Sequence, residues 1–239
     1  MKPKFLKLMM RKVFPQHKYE IYSYNTTIHT LAAKLKKDYP DFDSGDTEIA
    51  LILRDMETDE DKRNLLSGFF SDIILAFDFD AQHDNPDFGM VKRMLSYYTE
   101  SSDMGKLYIN YPMMQSYRHL KRFPDQDFTT RTASPIGYKE LVSNQSELGD
   151  LSKYGYDTYI KIAIQHLIKV WYIITGENKI TTKEEYLSIN WNTVYDKEMD
   201  LYSQYKNVFV LNTLILSIID YNPTTFFNQI NKHPEKFQY

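Results

Sequence analysis

Two carboxylates stand one residue apart in "SDIILAFDFDAQHDN" (71–85), directly after an apolar run. In an extended strand alternate side chains share a face, so Asp78 and Asp80 are expected to project together, and Phe77 and Phe79 to the other side. Carboxylates that close repel, and each raises the other's affinity for a proton unless positive charge lies between them. Mg2+ or Mn2+ meets that need, because a hard cation takes one or two carboxylates and fills its shell with water and substrate phosphate. Such an ion polarises a phosphoryl oxygen and helps to ionise water. Asp84 and Asp87 are near enough in sequence to contribute, and His83 is a candidate base or ligand as well as an ordinary loop residue. The same pair also fits a plain strand end, where both side chains accept backbone hydrogen bonds and open a turn. A third use, Asp78 as covalent nucleophile toward phosphate with Asp80 as acid/base, rests on the Asp-X-Asp alone.

The elements that must position the pair follow from periodicity. Ile73 to Ala76 have the apolar continuity of a strand buried on both faces, and the predicted strand covers 72–80. Ligand sites in parallel α/β sheets lie beyond the carboxyl ends of strands, where these aspartates fall. A helix is predicted from Gly89 to about Ser101, a strand over "KLYINY" (106–111), and a helix opened by Pro112 through "PMMQSYRHLKRF". His119, near the end of that helix, could meet the site or simply favour the helix terminus. Upstream, 3–14 predicts a helix ended by Pro15, "KYEIYSYN" (18–25) a strand, and "IHTLAAKLKKDY" a helix capped by Thr26 or Thr27. The acidic stretch around the apolar centre at 49–53 reads as a solvated face flanking a helix. The fold class is therefore α/β, a mainly parallel small sheet flanked by helices over 1–123. Residues 124–154 read as an irregular connection and 155–239 as a helical C-terminal region. Its helices are predicted over "YDTYIKIAIQHLIKVWYIIT", "TKEEYLSINWNTVYDKEMDLYSQY" and "NVFVLNTLILSIIDYN". In the first of these, Ile160, Ile164, Leu167, Trp171 and Ile174 share one face, and Lys161, Gln165 and Lys169 another.

Composition narrows the function. With 239 residues, 42% hydrophobic and 26% charged, the chain can bury a sizeable core. A net charge of −3 excludes the broad basic excess of a non-specific polyanion binder, so a nucleic-acid site must be local or supplied by metal ions or a partner. The basic N-terminus (Lys2, Lys4, Lys7, Arg11, Lys12) and "MVKRMLSYY" could supply phosphate contacts or be ordinary charged helix faces. The absence of cysteine removes disulfides, thiolate metal sites and a cysteine nucleophile. Neither G-x-S-x-G nor a P-loop motif occurs. No run approaches the ~20 apolar residues that span a bilayer, and Lys7 and Arg11 interrupt the N-terminal apolar stretch. A cytoplasmic protein without membrane contact is expected.

Taken in order, "LAFDFDAQHDNPDF" and "GKLYINYPMMQSYRHL" resemble the core of Toprim-domain proteins, in particular the RloB-like and OLD-nuclease-associated groups of prokaryotic defence loci. The resemblance spans residues 18–122. It implies a metal-dependent nuclease acting on nucleic acid in defence against phage or other mobile DNA. Asp78 and Asp80 would be the catalytic pair and, with Asp84, hold Mg2+ or Mn2+; His83, Asn110, Tyr111 and Gln115 would shape the neighbouring loop or touch substrate. Two features depart from the family pattern. The glutamate that Toprim sites carry at the end of an earlier strand, in an "EG-x-[ST]-[DE]"-like turn, has no counterpart before "KYEIYSYN", where Glu20 sits in mid-strand. The acid shortly after "NYP" is replaced by Gln115. A chain keeping the fold without the catalysis would instead be an interaction subunit, self-associating or bound to a partner such as an ATPase. The Asp-X-Asp also resembles that of haloacid-dehalogenase-type phosphatases. There, however, the pair lies near the chain's beginning before a Gly-Thr turn, where this chain has "AQHDN".

Overall fold

A computed structural model describes residues 2–21, 26–44, 48–102 and 104–237, and the chain forms two compact units. One is Tyr24–Ile109; the other joins Met1–Ser23 to Asn110–Tyr239. Helix α1 (Lys2–Val13) opens the second of these, burying Phe5 and Met9 and stacking Phe5 on Tyr117 with ring centroids 3.8 Å apart. The strand expected over 18–25 does not form at 18–21, which run as irregular chain, and 22–25 lie outside the described residues. β-forming side chains make a strand only where a ladder partner and a half-buried surface exist.

In the unit Tyr24–Ile109, helix α2 (Ile28–Asp38) starts where the Thr27 hydroxyl accepts the Thr30 N–H, and it buries Ile28, His29, Leu31, Ala32 and Leu35. Its apolar stripe packs on helix α5 (Phe88–Tyr97), whose Asp87 cap accepts the Met90 N–H. In the chain, α3 (Ile49–Met56), α4 (Glu60–Leu66) and strand β1 (Ile74–Asp78) come between these two helices. Strands β2 (Thr99–Glu100) and β3 (Gly105–Asn110) complete a three-stranded mixed sheet in the order β1-β3-β2. β2 runs antiparallel to β3, with Thr99 opposite Lys106 and Glu100 opposite Gly105.

The strand β1 is buried on one face rather than two. Leu75, Phe77 and Phe79 are buried, whereas Ile74 is exposed and Ala76 and Asp78 are half-buried. An apolar run reads the same for a central strand and for an end strand with one covered face; β1 stands at the end of the strand order. Gly105 opens β3 with φ +106°, and a Cβ there would meet Ile49 Cγ2 at 3.1 Å. Gly105→Ala therefore combines an unfavourable backbone conformation with a clash. It should lower the stability of this unit by about 1–3 kcal/mol, read as a shift of the urea midpoint.

In the other unit, strand β4 (Thr132–Ala133) and helix α6 (Tyr138–Gln145) lie within the stretch expected to be irregular. Helix α7 (Tyr156–Thr175) is buried along nearly its whole length. Gln165 and Lys169 are buried with the apolar residues, and only Lys161 of the expected polar face is partly exposed. The predicted helix over 182–205 is two helices, α8 (Lys183–Leu187) and α9 (Trp191–Tyr205), because Asn190 caps a fresh start at Asn192 N–H. The predicted helix over 207–222 begins instead as strand β5 (Val208–Phe209), antiparallel to β4, passes through a 3-10 turn (Leu214–Leu216) and becomes α-helical in α10 (Ser217–Tyr221), after which α11 (Pro223–Lys232) follows. Short apolar runs do not distinguish helix from buried strand. The helix predicted from Pro112 is a single 3-10 turn, Met114–Arg118. Among the described residues no helix is long and apolar enough to cross a membrane.

Candidate functional site

β1 delivers Asp78 as its last residue, and Asp80 lies beyond it with φ +46°. The strand predicted to run through Asp80 ends at Asp78, and the chain leaves extended geometry at Asp80. Aspartate tolerates the left-handed region better than most residues. The Asp80 carbonyl accepts the His83 N–H at 3.1 Å, which closes a turn immediately after the strand. Alternation of burial continues nevertheless: Phe79 is buried, and Asp78 and Asp80 are both half-buried. Asp84 is exposed. Asp87 is committed twice, accepting the Met90 N–H at 2.9 Å and pairing with Lys36 Nζ at 2.7 Å, and these contacts, Lys36 foremost, hold its carboxyl below the usual range.

His29, from α2, joins this region and was not singled out by any sequence motif. It is buried against Phe88, with ring centroids 5.3 Å apart, and lies 5.5 Å from the ring of His83. Burial, then the neighbouring His83, lowers its proton affinity, while Asp80, the Phe79 backbone and Asp87 pull the other way. The only trace in the sequence is its place within the apolar stripe of α2, where a histidine is ordinarily a core residue. His83 Nδ1 accepts the Asn85 N–H at 3.3 Å and Nε2 lies 3.5 Å from the Thr30 hydroxyl.

Asn110, Tyr111 and Gln115 belong to the other unit and are buried there. The Asn110 side-chain oxygen accepts the Leu214 N–H at 3.3 Å, and Tyr111 exchanges backbone hydrogen bonds with Leu211. His119 is a core residue of that unit. Its Nε2–H donates to Gln145 Oε1 at 2.9 Å, and its Nδ1 accepts the Tyr138 hydroxyl at 3.1 Å.

A further polar group in that unit also escaped the sequence. Lys169 Nζ donates to the Phe128 and Arg131 carbonyls, both at 2.6 Å, and lies 4.4 Å from the centre of the Phe128 ring. Glu198 accepts the Phe209 N–H at 2.7 Å. Burial drives the lysine well below its ordinary pKa and the glutamate well above, with each favouring the other's charge. Both are fully enclosed and serve the frame of α7, α9 and β5.

Among the described residues no three histidine, aspartate or glutamate side chains already surround one point. An Mg2+ or Mn2+ ion does not require that, since one or two carboxylates with water and phosphate suffice. Partly solvated carboxylates at a strand end fit such an ion. The arrangement can therefore hold a hydrated cation and place an anionic substrate against it. Neither the family models, nor the curated proteins, nor the solved structures compared with this chain match it.

Proposed function

We propose that the chain is a metal-dependent nuclease-class protein acting on nucleic acid, with its site at the carboxyl end of β1. The observation that carries this reading is the pair Asp78 and Asp80, half-buried where the strand breaks into a left-handed turn. A bound Mg2+ or Mn2+ would supply charge to a phosphoryl oxygen and acidify water. Asp78 and Asp80 orient that ion, and burial of Phe77 and Phe79 behind them anchors the strand that aims them. The Toprim-like form of the fold, with β1 parallel to β3, is part of the same proposal. It is supported by the adjacency of β1 and β3 and by their connection through α5, since parallel neighbours need a crossover. A role in prokaryotic defence rests on the sequence resemblance.

The test is cleavage of single- and double-stranded DNA and RNA in Mg2+ or Mn2+ by the wild type and by Asp78→Asn/Asp80→Asn. The double variant should lose activity by at least about 100-fold, the scale of a lost preorganised electrostatic contact. Unchanged cleavage would remove the assignment.

A second reading, a non-catalytic interaction subunit, has an observation of its own. Phe69 is fully exposed and Phe70 and Ile74 are exposed beside it along the entry to β1. Exposed aromatic residues of this kind frequently mark protein contacts.

A further inference from the structure

His29 and His83 reach each other from α2 and from the loop after β1, with ring centroids 5.5 Å apart and planes inclined by 40°. Two imidazoles on one tetrahedral ion, with metal–nitrogen distances of about 2.0–2.1 Å, hold their centroids about 5 Å apart. A pair of packed rings has the same spacing, so the hydrogen bonds decide. His29 is only 1% exposed, yet no side chain hydrogen-bonds either ring nitrogen, and its one polar neighbour is the Phe79 backbone. Buried polar atoms in folded proteins are overwhelmingly paired, and an orphaned imidazole asks for a partner. The Phe79 backbone favours a proton on this ring. Metal-bound histidines commonly direct one N–H to a backbone oxygen or carboxylate and give the other nitrogen to the ion.

His83 differs in having a contact at each ring nitrogen, both of them long. With Nε2–H toward the Thr30 hydroxyl, 3.5 Å away, Nδ1 keeps its lone pair, engaged only by the long 3.3 Å contact from Asn85. Asp80 shares a turn with His83, its carbonyl accepting the His83 N–H at 3.1 Å, whereas Asp87 is held by Lys36 and its helix cap.

We propose that His29, His83 and Asp80 form a site for a borderline divalent transition ion such as Zn2+ or Co2+. Imidazole nitrogen suits these ions, while Mg2+ prefers oxygen. His29 is fixed in the packed face of α2, and His83 and Asp80 turn toward it from the loop as the ion binds. The site shares Asp80 with the cation site proposed above but needs neither Asp78 nor cleavage activity.

Untagged full-length protein titrated with Co2+, followed by visible absorption and displaced by Zn2+, tests this directly. The wild type should bind one Co2+ with the d–d bands of a nitrogen-containing tetrahedral or five-coordinate site. His83→Ala, a change in a loop, should weaken binding at least about 100-fold, and His29→Gln should do the same with its fold checked by circular dichroism. Asp78→Asn should retain the spectrum. The absence of a Co2+ spectrum in the wild type, or equal affinity in His83→Ala, overturns the site; equal loss in Asp78→Asn overturns its separateness from the aspartate pair. Failure of Mg2+ binding or cleavage in the wild type would bear on the nuclease reading alone.

Discussion

Asp125→Ala should destabilise the unit Met1–Ser23 with Asn110–Tyr239 by about 3–5 kcal/mol. Asp125 is 2% exposed and grips Arg131 through two hydrogen bonds, at 2.8 and 3.2 Å, while accepting the Lys121 N–H at 2.8 Å. Burial alone would raise its carboxyl; Arg131 and the backbone N–H groups outweigh that and hold it below the ordinary value. Arg131 in turn donates to the His119 carbonyl at 2.7 Å, so the pair ties 119–131 into one piece. Truncating the aspartate leaves a guanidinium that cannot shed its charge in a nearly closed site. The double variant Asp125→Ala/Arg131→Leu should recover a large part of the loss, because no unpaired charge remains. Chemical denaturation of the three variants provides the cycle. Additive losses would show that the pair contributes nothing beyond its separate side chains.

Acid should weaken the fold well above the carboxylate range. Burial, aided by Lys169, lowers the proton affinity of His166 well below the ordinary value; burial likewise lowers His119 and His29. In the unfolded chain histidines titrate near 6.5, so below that pH the unfolded state binds more protons than the folded one. Stability then rises with pH through this window: the contribution is complete above about pH 6.5 and is lost as pH falls toward the folded values. Each histidine can change stability by as much as about 1.4 kcal/mol per pH unit there. Glu198 acts in the opposite sense. Its raised carboxyl contributes stability present below its unfolded value and lost as pH rises through its folded one. The contrast with His166→Asn isolates the histidine. Its Nδ1 accepts the Asn212 N–H at 3.0 Å, an interaction an asparagine oxygen can reproduce without titrating. Denaturation midpoints from pH 5 to 7 should slope less steeply in the variant by about 1.4 kcal/mol per unit. Identical slopes would contradict a buried neutral His166.

Those two groups mark where the sequence stops being legible. The order of a strand into the aspartates, a helix and a strand through Ile109 follows from periodicity, although the strand predicted over 72–80 forms only at Ile74–Asp78 and the helix predicted to about Ser101 ends at Tyr97, before β2. The break at Asp80 does not follow, since a left-handed aspartate and an extended one have the same letter. Lys169 and Gln165 look like a polar helix face until helix α7 is enclosed on all sides, whereupon their partners, the Phe128 and Arg131 carbonyls and the Asp125 N–H, come from a segment without regular pattern. His29 is hidden for a related reason: what matters is that it lies beside His83, fifty-odd positions away in the chain. Tertiary neighbours of this kind leave no local period.

The central claim is that a cation belongs with Asp78 and Asp80. Calorimetric titration of the wild type and of Asp78→Asn/Asp80→Asn with Mg2+ and Mn2+ tests it most directly. The account predicts one ion bound by the wild type and no detectable heat from the double variant, whose helix content and melting should be unchanged. A wild type that binds neither ion, or a double variant that binds as well, would contradict it.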